Sequence, residues 1–221
     1  RFELIPIILL LSFSGFTILG IRQYFLLKEI GIQISVKENI KLYLSGLSMI
    51  ITPGGSGQLI KSLYLKKKYN YETSKTLPLV FVERFLDLIS ITTLITLSLV
   101  FVQNFEVLLI VIIISSLIII GVLTLRFKRL FRIFIRSLSK VSFLKKFVKN
   151  MNETYDSLHS MTSVKSILRA WLIGMISFSF EALAIYTVFI AFNVNLGFLN
   201  TIAIIYPSIL YGALSLIPGG V

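Results

Sequence analysis

Cysteine is absent from this chain of 221 residues, and histidine occurs only once. Without cysteine the chain has no disulfide, no thiolate nucleophile and no cysteine-ligated metal. The single histidine, His159, lies in a basic polar stretch without a second candidate ligand nearby, so we expect a solvated surface residue there. We therefore predict neither a metal site nor a cofactor.

Acidic residues are also scarce. The sequence has 10 Asp and Glu against 22 Lys and Arg, which gives a formal net charge of +12. A leading methionine and a signal-peptide pattern are missing as well, since the chain starts at Arg1 and ends within a Pro-Gly-Gly motif. We expect residues 1–221 to form a single transmembrane domain, truncated at both ends from a longer protein.

Hydrophobic residues, by contrast, are abundant. They make up 56% of the chain, and the mean hydropathy is +0.90. Soluble domains contain roughly 45–50% apolar residues, and runs of about 20 apolar residues are long enough to cross a bilayer. Such runs occupy about 4–27, 77–101, 107–125, 170–192 and 198–217. The sequence therefore predicts an all-α, polytopic membrane helix bundle.

The segment Thr-Pro-Gly-Gly-Ser-Gly-Gln at 52–58 interrupts a further apolar stretch between 40 and 65. Proline and glycine break a helix there, and broken backbone at membrane depth is tolerated only against protein or a water-filled cavity. A second Pro-Gly-Gly motif lies at 218–220. Paired interrupted segments of this kind are typical of transporter binding sites. Two simply kinked membrane helices are the alternative interpretation.

The distribution of Lys and Arg predicts the topology, because these residues collect in cytoplasmic loops. The turns at 103–106 and 193–197 contain neither, so we place both outside. The block from 126 to 169 contains eleven basic residues and is placed in the cytoplasm. The first interrupted segment then begins and ends inside, as a re-entrant hairpin. The second copy is approached from outside, which makes the two inverted repeats.

Segment 126–166 has one apolar and one basic face, because Phe and aliphatic residues recur there at three- and four-residue spacing. This pattern indicates an interfacial helix on an anionic leaflet at the cytoplasmic side of the cell membrane. Nucleic-acid binding is the competing explanation of such charge. We do not expect it, because the Phe-rich face continues directly from a membrane span.

The residues after the first motif favour anion binding. A new helix should begin after Gly57, with Ser56 as its cap, Lys61 about one turn in, and free amides that can hold a phosphate. The alternative for Lys61 is a lysine that extends its ammonium to the membrane surface.

Ionisable residues also lie within the predicted spans. Glu83 and Asp87 share one helix face, Arg84 can pair with Asp87 at i,i+3 spacing, and Arg22 could reach this layer from the first span. A structural ion-pair clasp is the alternative to a ligand site. Glu181 is an isolated intramembrane carboxylate without an evident partner.

The ordered set of these motifs resembles the transmembrane region of the lysylphosphatidylglycerol synthase/flippase family. The set comprises Thr52-Pro53-Gly54-Gly55-x-Gly57, Lys61, Glu83-Arg84-x-x-Asp87 and Pro218-Gly219-Gly220, and it covers essentially the whole chain. Gln58 departs from a Glu often found at that position. The family's soluble aminoacyl-transferase domain is absent from the sequence, so the resemblance does not assign lipid lysinylation.

The resemblance implies a non-enzymatic protein that translocates a phospholipid or a polyprenyl-linked headgroup between leaflets. In the mechanism we expect, the basic segment gathers anionic lipid, the Pro53–Gly57 amides and Lys61 hold phosphate, and Glu83 or Asp87 holds a cationic or hydroxylated headgroup. The competing functions are a membrane enzyme acting on lipid-linked substrates and an accessory subunit or anchor for a partner enzyme. The protein partners considered are a glycosyltransferase, an aminoacyltransferase and a second copy of the chain. The predicted substrate-binding residues are Arg22, Pro53, Gly54, Gly55, Gly57, Gln58, Lys61, Glu83, Arg84, Asp87, Glu181, Pro218, Gly219 and Gly220.

Overall fold

The computed structural model of the chain describes residues 1–48, 58–101, 105–126, 129 and 151–214, and the regular elements in these ranges are all helical. Both Pro-Gly-Gly motifs, at 53–57 and 218–220, lie outside the described residues. So does most of the basic segment predicted at 126–166. The all-α prediction is confirmed for the described part of the chain.

The helices follow one another with short connections. A 3-10 turn at Phe2–Leu4 leads into α1. The helices are α1 (Ile5–Glu29), α2 (Val36–Leu47), α3 (Ile60–Tyr69), α4 (Thr73–Thr76), α5 (Pro78–Leu99), α6 (Phe105–Arg126), α7 (Met151–Met161), α8 (Val164–Ala191) and α9 (Phe198–Leu214).

Most helix boundaries agree with the hydrophobic pattern. The spans predicted at 4–27, 77–101 and 107–125 correspond to α1, α5 and α6, with ends that differ by at most two residues. The span predicted at 170–192 begins earlier, at Val164. It does so because Ser163 caps α8, where its Oγ accepts a hydrogen bond from the Ser166 amide at 3.3 Å.

Local sequence also explains where other helices begin and end. The Oγ of Ser35 caps α2 by accepting from the Glu38 amide at 3.2 Å. Gly31 follows α1 with a φ of 70°, a left-handed conformation that glycine adopts without steric cost. Asn70 closes α3 in the same region, with a φ of 57°. These breaks turn the chain back on itself between α1 and α5.

Helix α5 is the centre of the bundle and packs against α6, α7, α8 and α9, while α1 packs along α8. One apolar core surrounds the first half of α5, where Leu79, Val82 and Leu86 meet Leu26 and Leu27 of α1. A second core surrounds its second half, against α6, α8 and α9. Helix α5 also buries polar side chains, among them Glu83, Asp87 and Ser90.

The outer surface of the bundle is apolar. On α6, Ile112, Ile113 and Ile119 are 52%, 57% and 60% exposed. Within the described residues, the segments Phe2–Glu29 and Val164–Ala191 are each long and apolar enough to cross a membrane. Leu108–Val122 and Phe198–Tyr211 are shorter apolar helices. Such surfaces are suited to lipid and unusual for a soluble monomer.

Helices α2 and α3 form an antiparallel pair. Glu38, near the start of α2, contacts Lys68 near the end of α3 and Tyr64 one turn before it. Gly46, near the end of α2, lies against Lys61 at the start of α3. The two helices have 12 and 10 residues, about 18 Å and 15 Å at 1.5 Å per residue, so each is too short for a hydrocarbon core of about 30 Å.

Candidate functional site

Five charged side chains from three helices meet inside the bundle, and we call them the charged layer. They are Arg22 on α1, Lys61 on α3, and Glu83, Arg84 and Asp87 on α5. Arg22, Lys61 and Glu83 are each only 1% exposed, and Asp87 is 7% exposed. Ionisable side chains are costly inside a membrane bundle and mark functional positions there.

Asp87 receives two arginines. Its Oδ1 accepts from Nη2 of Arg22 at 2.5 Å, and its Oδ2 forms an ion pair with Nη2 of Arg84 at 3.1 Å. The pairing of Arg84 with Asp87 and the reach of Arg22 into this layer were both predicted, and both are confirmed. The two arginines differ in environment, because the Arg22 side chain is buried whereas that of Arg84 is 42% exposed.

Lys61 forms a second, separate ion pair. Its Nζ lies 2.8 Å from Oε2 of Glu83 and 4.8 Å from the centre of the Tyr43 ring, at the distance of a cation–π contact. The alternative of a lysine reaching the membrane surface is wrong for this structure, since Lys61 is buried. Glu83 therefore has a cationic partner within the protein.

Two glycines allow this close packing. A Cβ at Gly46 would collide with Cε of Lys61. A Cβ at Gly174, on α8, would collide with Oγ of Ser90 and lie 3.2 Å from Nη1 of Arg22. Both helices can approach the buried cations only because these positions lack a side chain.

A neutral polar contact holds α2 against α1 beside the charged layer. Nε2 of Gln23 donates to Oδ1 of Asn39 at 2.9 Å, and Nδ2 of Asn39 donates to the Gly20 carbonyl at 2.7 Å. Gln23 and Asn39 are both fully buried. This contact positions Tyr43, four residues after Asn39 on the same helix face, over the Lys61 ammonium.

Several buried polar atoms of the charged layer and of the start of α3 have no hydrogen-bond partner among the described residues. They are Nε and Nη1 of Arg22, Nε of Arg84, both amide atoms of Gln58, Oγ of Ser62 and Oε1 of Glu83. Most of them can donate, and unpaired buried polar groups cost roughly 1–3 kcal/mol each. Three cations against two carboxylates also leave the charged layer with a formal charge of +1. The arrangement is suited to a single anionic group that accepts hydrogen bonds.

The start of α3 adds to this character. A short 3-10 turn at 58–59 leads into the helix, as predicted for the chain after Gly57. Gln58, Lys61 and Ser62 are each 1% exposed, which places the helix N-terminus inside the bundle. Helix N-termini favour anions through their free amides and macrodipole.

The remaining predicted residues are not brought into this layer by the described structure. Pro53, Gly54, Gly55 and Gly57 lie outside the described residues. The same holds for the second motif, Pro218, Gly219 and Gly220. Glu181 lies on α8, apart from the charged layer, beside a small cavity.

Sequence reasoning overlooked several residues of the site. Tyr43 and Gly174 contact the charged layer, and Gln23 and Asn39 bond to each other beside it. Ser62, the residue after Lys61, is buried without a hydrogen-bond partner among the described residues. One signal was available: Asn39, Tyr43 and Gly46 recur at helical spacing on one face of a short apolar helix. The position of Gly174 could not be read from the sequence, because it depends on how α8 packs on α5.

A surface contact joins the start of α2 to the second half of α3. Glu38 accepts hydrogen bonds from Lys68 and from the Tyr64 hydroxyl. The hydrogen bond from Lys68, and secondly that from Tyr64, holds the pKa of Glu38 below its usual value. The bond between Glu38 and Lys68 also raises the pKa of Lys68.

The predicted surface position of His159 is confirmed, with its ring stacked on Tyr155 at 5.8 Å.

The family model described as the lysylphosphatidylglycerol synthase TM region matches residues 1–221, the whole chain. No curated protein and no solved structure matches the chain.

Proposed function

We propose that this chain, which belongs to the family of the lysylphosphatidylglycerol synthase transmembrane region, translocates a phosphate-bearing lipid headgroup between the two leaflets of the cell membrane. The lipid is a phospholipid or a polyprenyl-linked lipid. The chain performs this movement without enzymatic chemistry.

The observation that carries the proposal is the charged layer with its unpaired donors. A headgroup phosphate is an anion with several acceptor oxygens. Nε and Nη1 of Arg22, Oγ of Ser62 and Nε2 of Gln58 are buried donors that lack a partner among the described residues. A phosphate that reaches these donors would accept hydrogen bonds from them and balance the formal charge of +1. Charge-assisted hydrogen bonds of this kind are the stronger ones in proteins.

The ion pairs define how the site is used. Glu83 neutralises Lys61, and Asp87 neutralises Arg22, while no headgroup is present. An arriving phosphate competes with these carboxylates for the two cations. Each carboxylate that is displaced can then contact hydroxyl or amine groups elsewhere in the headgroup. In this way the headgroup crosses without its charge being left unpaired at any stage.

The short antiparallel helices α2 and α3 support the proposal that the first motif is re-entrant. The start of α2 and the end of α3 then face the cytoplasm, together with the basic segment 126–169 that gathers anionic lipid. The chain lacks cysteine, so single cysteines can be introduced at the exposed positions Lys37, Lys67 and Asn195. Membrane-impermeant reagents should label the first two from the cytoplasmic side and the third from the other side. Labelling of Lys37→Cys and Lys67→Cys from opposite sides would exclude the hairpin.

The translocation proposal is tested with purified protein in liposomes. Labelled phospholipids with phosphoglycerol, phosphoethanolamine and phosphocholine headgroups, and a labelled polyprenyl phosphate, are placed in one leaflet. Their appearance in the other leaflet is followed by reduction of the label with an impermeant reagent. We expect faster equilibration than in protein-free liposomes for at least one phosphate-bearing lipid.

A labelled diacylglycerol, which has the tails but no phosphate, provides the matched control lipid. It crosses bilayers without a carrier, and the protein should not alter its rate. Equal rates with and without protein for every phosphate-bearing lipid would refute the proposed function.

A further inference from the structure

A polar strip runs along the contact between α1 and α8, leading away from the charged layer. Gly174 lies beside the Arg22 guanidinium. One turn further along α8, Oγ of Ser177 donates to the Gly15 carbonyl at 2.9 Å. Glu181 comes seven residues after Gly174, which is two turns or about 10.5 Å along the same helix face.

Glu181 lines a cavity of about 140 Å³ between α1 and α8. A water molecule occupies about 30 Å³ in the liquid, so this volume has room for a few water molecules. Apolar side chains form most of the wall, and hydroxyl groups are the other polar side chains present. The lining includes Ser12, Phe16, Leu19, Ser177, Ala184 and Ile185.

Among the described residues, no Lys or Arg forms an ion pair with the carboxylate of Glu181. Arg22 of α1 and Asp87 of α5 are paired with each other, and the Tyr206 hydroxyl of α9 donates to the Phe178 carbonyl. The surroundings therefore favour the neutral, protonated form of this side chain.

The cavity fits a proton better than a metal cation. Hard cations such as Ca²⁺ or Mg²⁺ require about six oxygen ligands. The side chains that line this cavity offer one carboxylate and two hydroxyls, and one hydroxyl already donates to Gly15. A proton needs a single carboxylate oxygen and a path of small polar groups by which to arrive.

We propose that the Glu181 cavity is a proton-binding site, and that Glu181 binds and releases a proton in each cycle of headgroup translocation. The coupling rests on the proposed function, whereas the proton site itself does not. On binding, an O–H bond forms on a carboxylate oxygen. On release, that proton returns to water in the cavity. A translocation cycle that includes this step is driven by a proton gradient.

The proton site is tested without any transport measurement. Infrared difference spectra of the purified protein, recorded as the pH is stepped between about 5 and 8, report the carbonyl stretch of protonated carboxylic acids. We expect one band that titrates in the wild type and is lost in Glu181→Gln. Glu29→Gln is the matched control, because Glu29 faces Arg169 across the same two helices and is paired with it at 3.5 Å. A band that persists unchanged in Glu181→Gln would overturn the proton site.

The coupling is tested in proteoliposomes with a phospholipid that the wild type translocates. We expect the wild-type rate to change by up to about tenfold per pH unit on one limb of the profile, as one bound proton requires, and to respond to an imposed pH gradient. Glu181→Gln should translocate at a rate independent of both, whereas Glu29→Gln should keep the wild-type profile. A wild-type pH profile in Glu181→Gln would overturn the coupling. Replacing sodium by potassium should change nothing, and a strict sodium requirement would overturn it as well.

These outcomes separate the two proposals. A titrating Glu181 band in a protein that translocates no lipid would refute the proposed function together with the coupling, and would leave the proton site standing. Lipid translocation without a titrating band would refute the proton site and leave the proposed function standing.

Discussion

Removing Lys61 alone should destabilise the protein strongly, because it leaves the Glu83 carboxylate buried without its cation. The two groups are 2.8 Å apart and each is 1% exposed. At an effective dielectric constant of about 20, their attraction is about 6 kcal/mol. Desolvation of the two ions costs several kcal/mol each and offsets most of that attraction. Breaking such a pair therefore costs about 3–5 kcal/mol, whereas replacing both partners is close to neutral.

The test compares Lys61→Met with the double variant Lys61→Met/Glu83→Leu. Unfolding free energies are measured in mixed detergent micelles. We expect the single variant to lose about 3–5 kcal/mol and the double variant to recover most of that loss. Loss of the Tyr43 cation–π contact, worth about 0.5–2 kcal/mol, remains in both variants. A single variant as stable as the wild type would refute the buried pair. A double variant no better than the single one would show that the helices need the ion pair itself.

Three further predictions concern neighbouring positions. Arg22→Met should lower the unfolding free energy by about 3–5 kcal/mol, as for a buried pair. The Arg84 side chain is 42% exposed, so Arg84→Met should cost about 1 kcal/mol or less in the same assay. Equal losses would contradict the assignment of Arg22 as the buried partner of Asp87. Gly174→Ala should lower the unfolding free energy by about 1–3 kcal/mol, because the new Cβ would collide with Oγ of Ser90. The double variant Ser90→Ala/Gly174→Ala should recover part of that loss. A Gly174→Ala variant as stable as the wild type would contradict the close approach of α8 to α5. The hydrogen bond from Lys68 lowers the pKa of Glu38 from the usual 4.5, so the stability that this bond contributes should be present above that pH and lost as the pH falls through the folded-state pKa. Glu38→Gln should remove this acid-dependent part of the thermal unfolding profile. An unchanged profile would contradict the bond.

The helical bundle could be predicted from the sequence because membrane spans are long, apolar and nearly independent of one another. The pairing of Arg84 with Asp87 could also be predicted, since both lie on one helix at i,i+3 spacing. The pairing of Lys61 with Glu83 could not. It joins residues 22 positions apart on two helices, and its geometry depends on how the antiparallel pair of α2 and α3 packs on α5.

The different burial of Arg22 and Arg84 likewise could not be predicted from the sequence. Arg22 lies near the end of a span, where lysines and arginines commonly anchor at the membrane surface. In the structure it is buried, because Gly174 on α8 leaves room for its guanidinium beside Asp87. Such room is a property of three packed helices, and no local pattern in any one of them encodes it.

The most direct test of the charged layer as the headgroup path is lipid translocation by Glu83→Gln. Glutamine keeps the volume of Glu83 and an acceptor oxygen for the Lys61 ammonium, and it raises the formal charge of the charged layer from +1 to +2. We expect this variant to keep the wild-type fold, as judged by its gel-filtration profile and helical circular dichroism, although its unfolding free energy should be lower because the Lys61 ammonium loses its buried counter-charge. In proteoliposomes it should hold the headgroup phosphate without releasing it, so that labelled phospholipid equilibrates between leaflets no faster than in protein-free liposomes. Wild-type equilibration by folded Glu83→Gln would contradict the account and remove the charged layer from the translocation path.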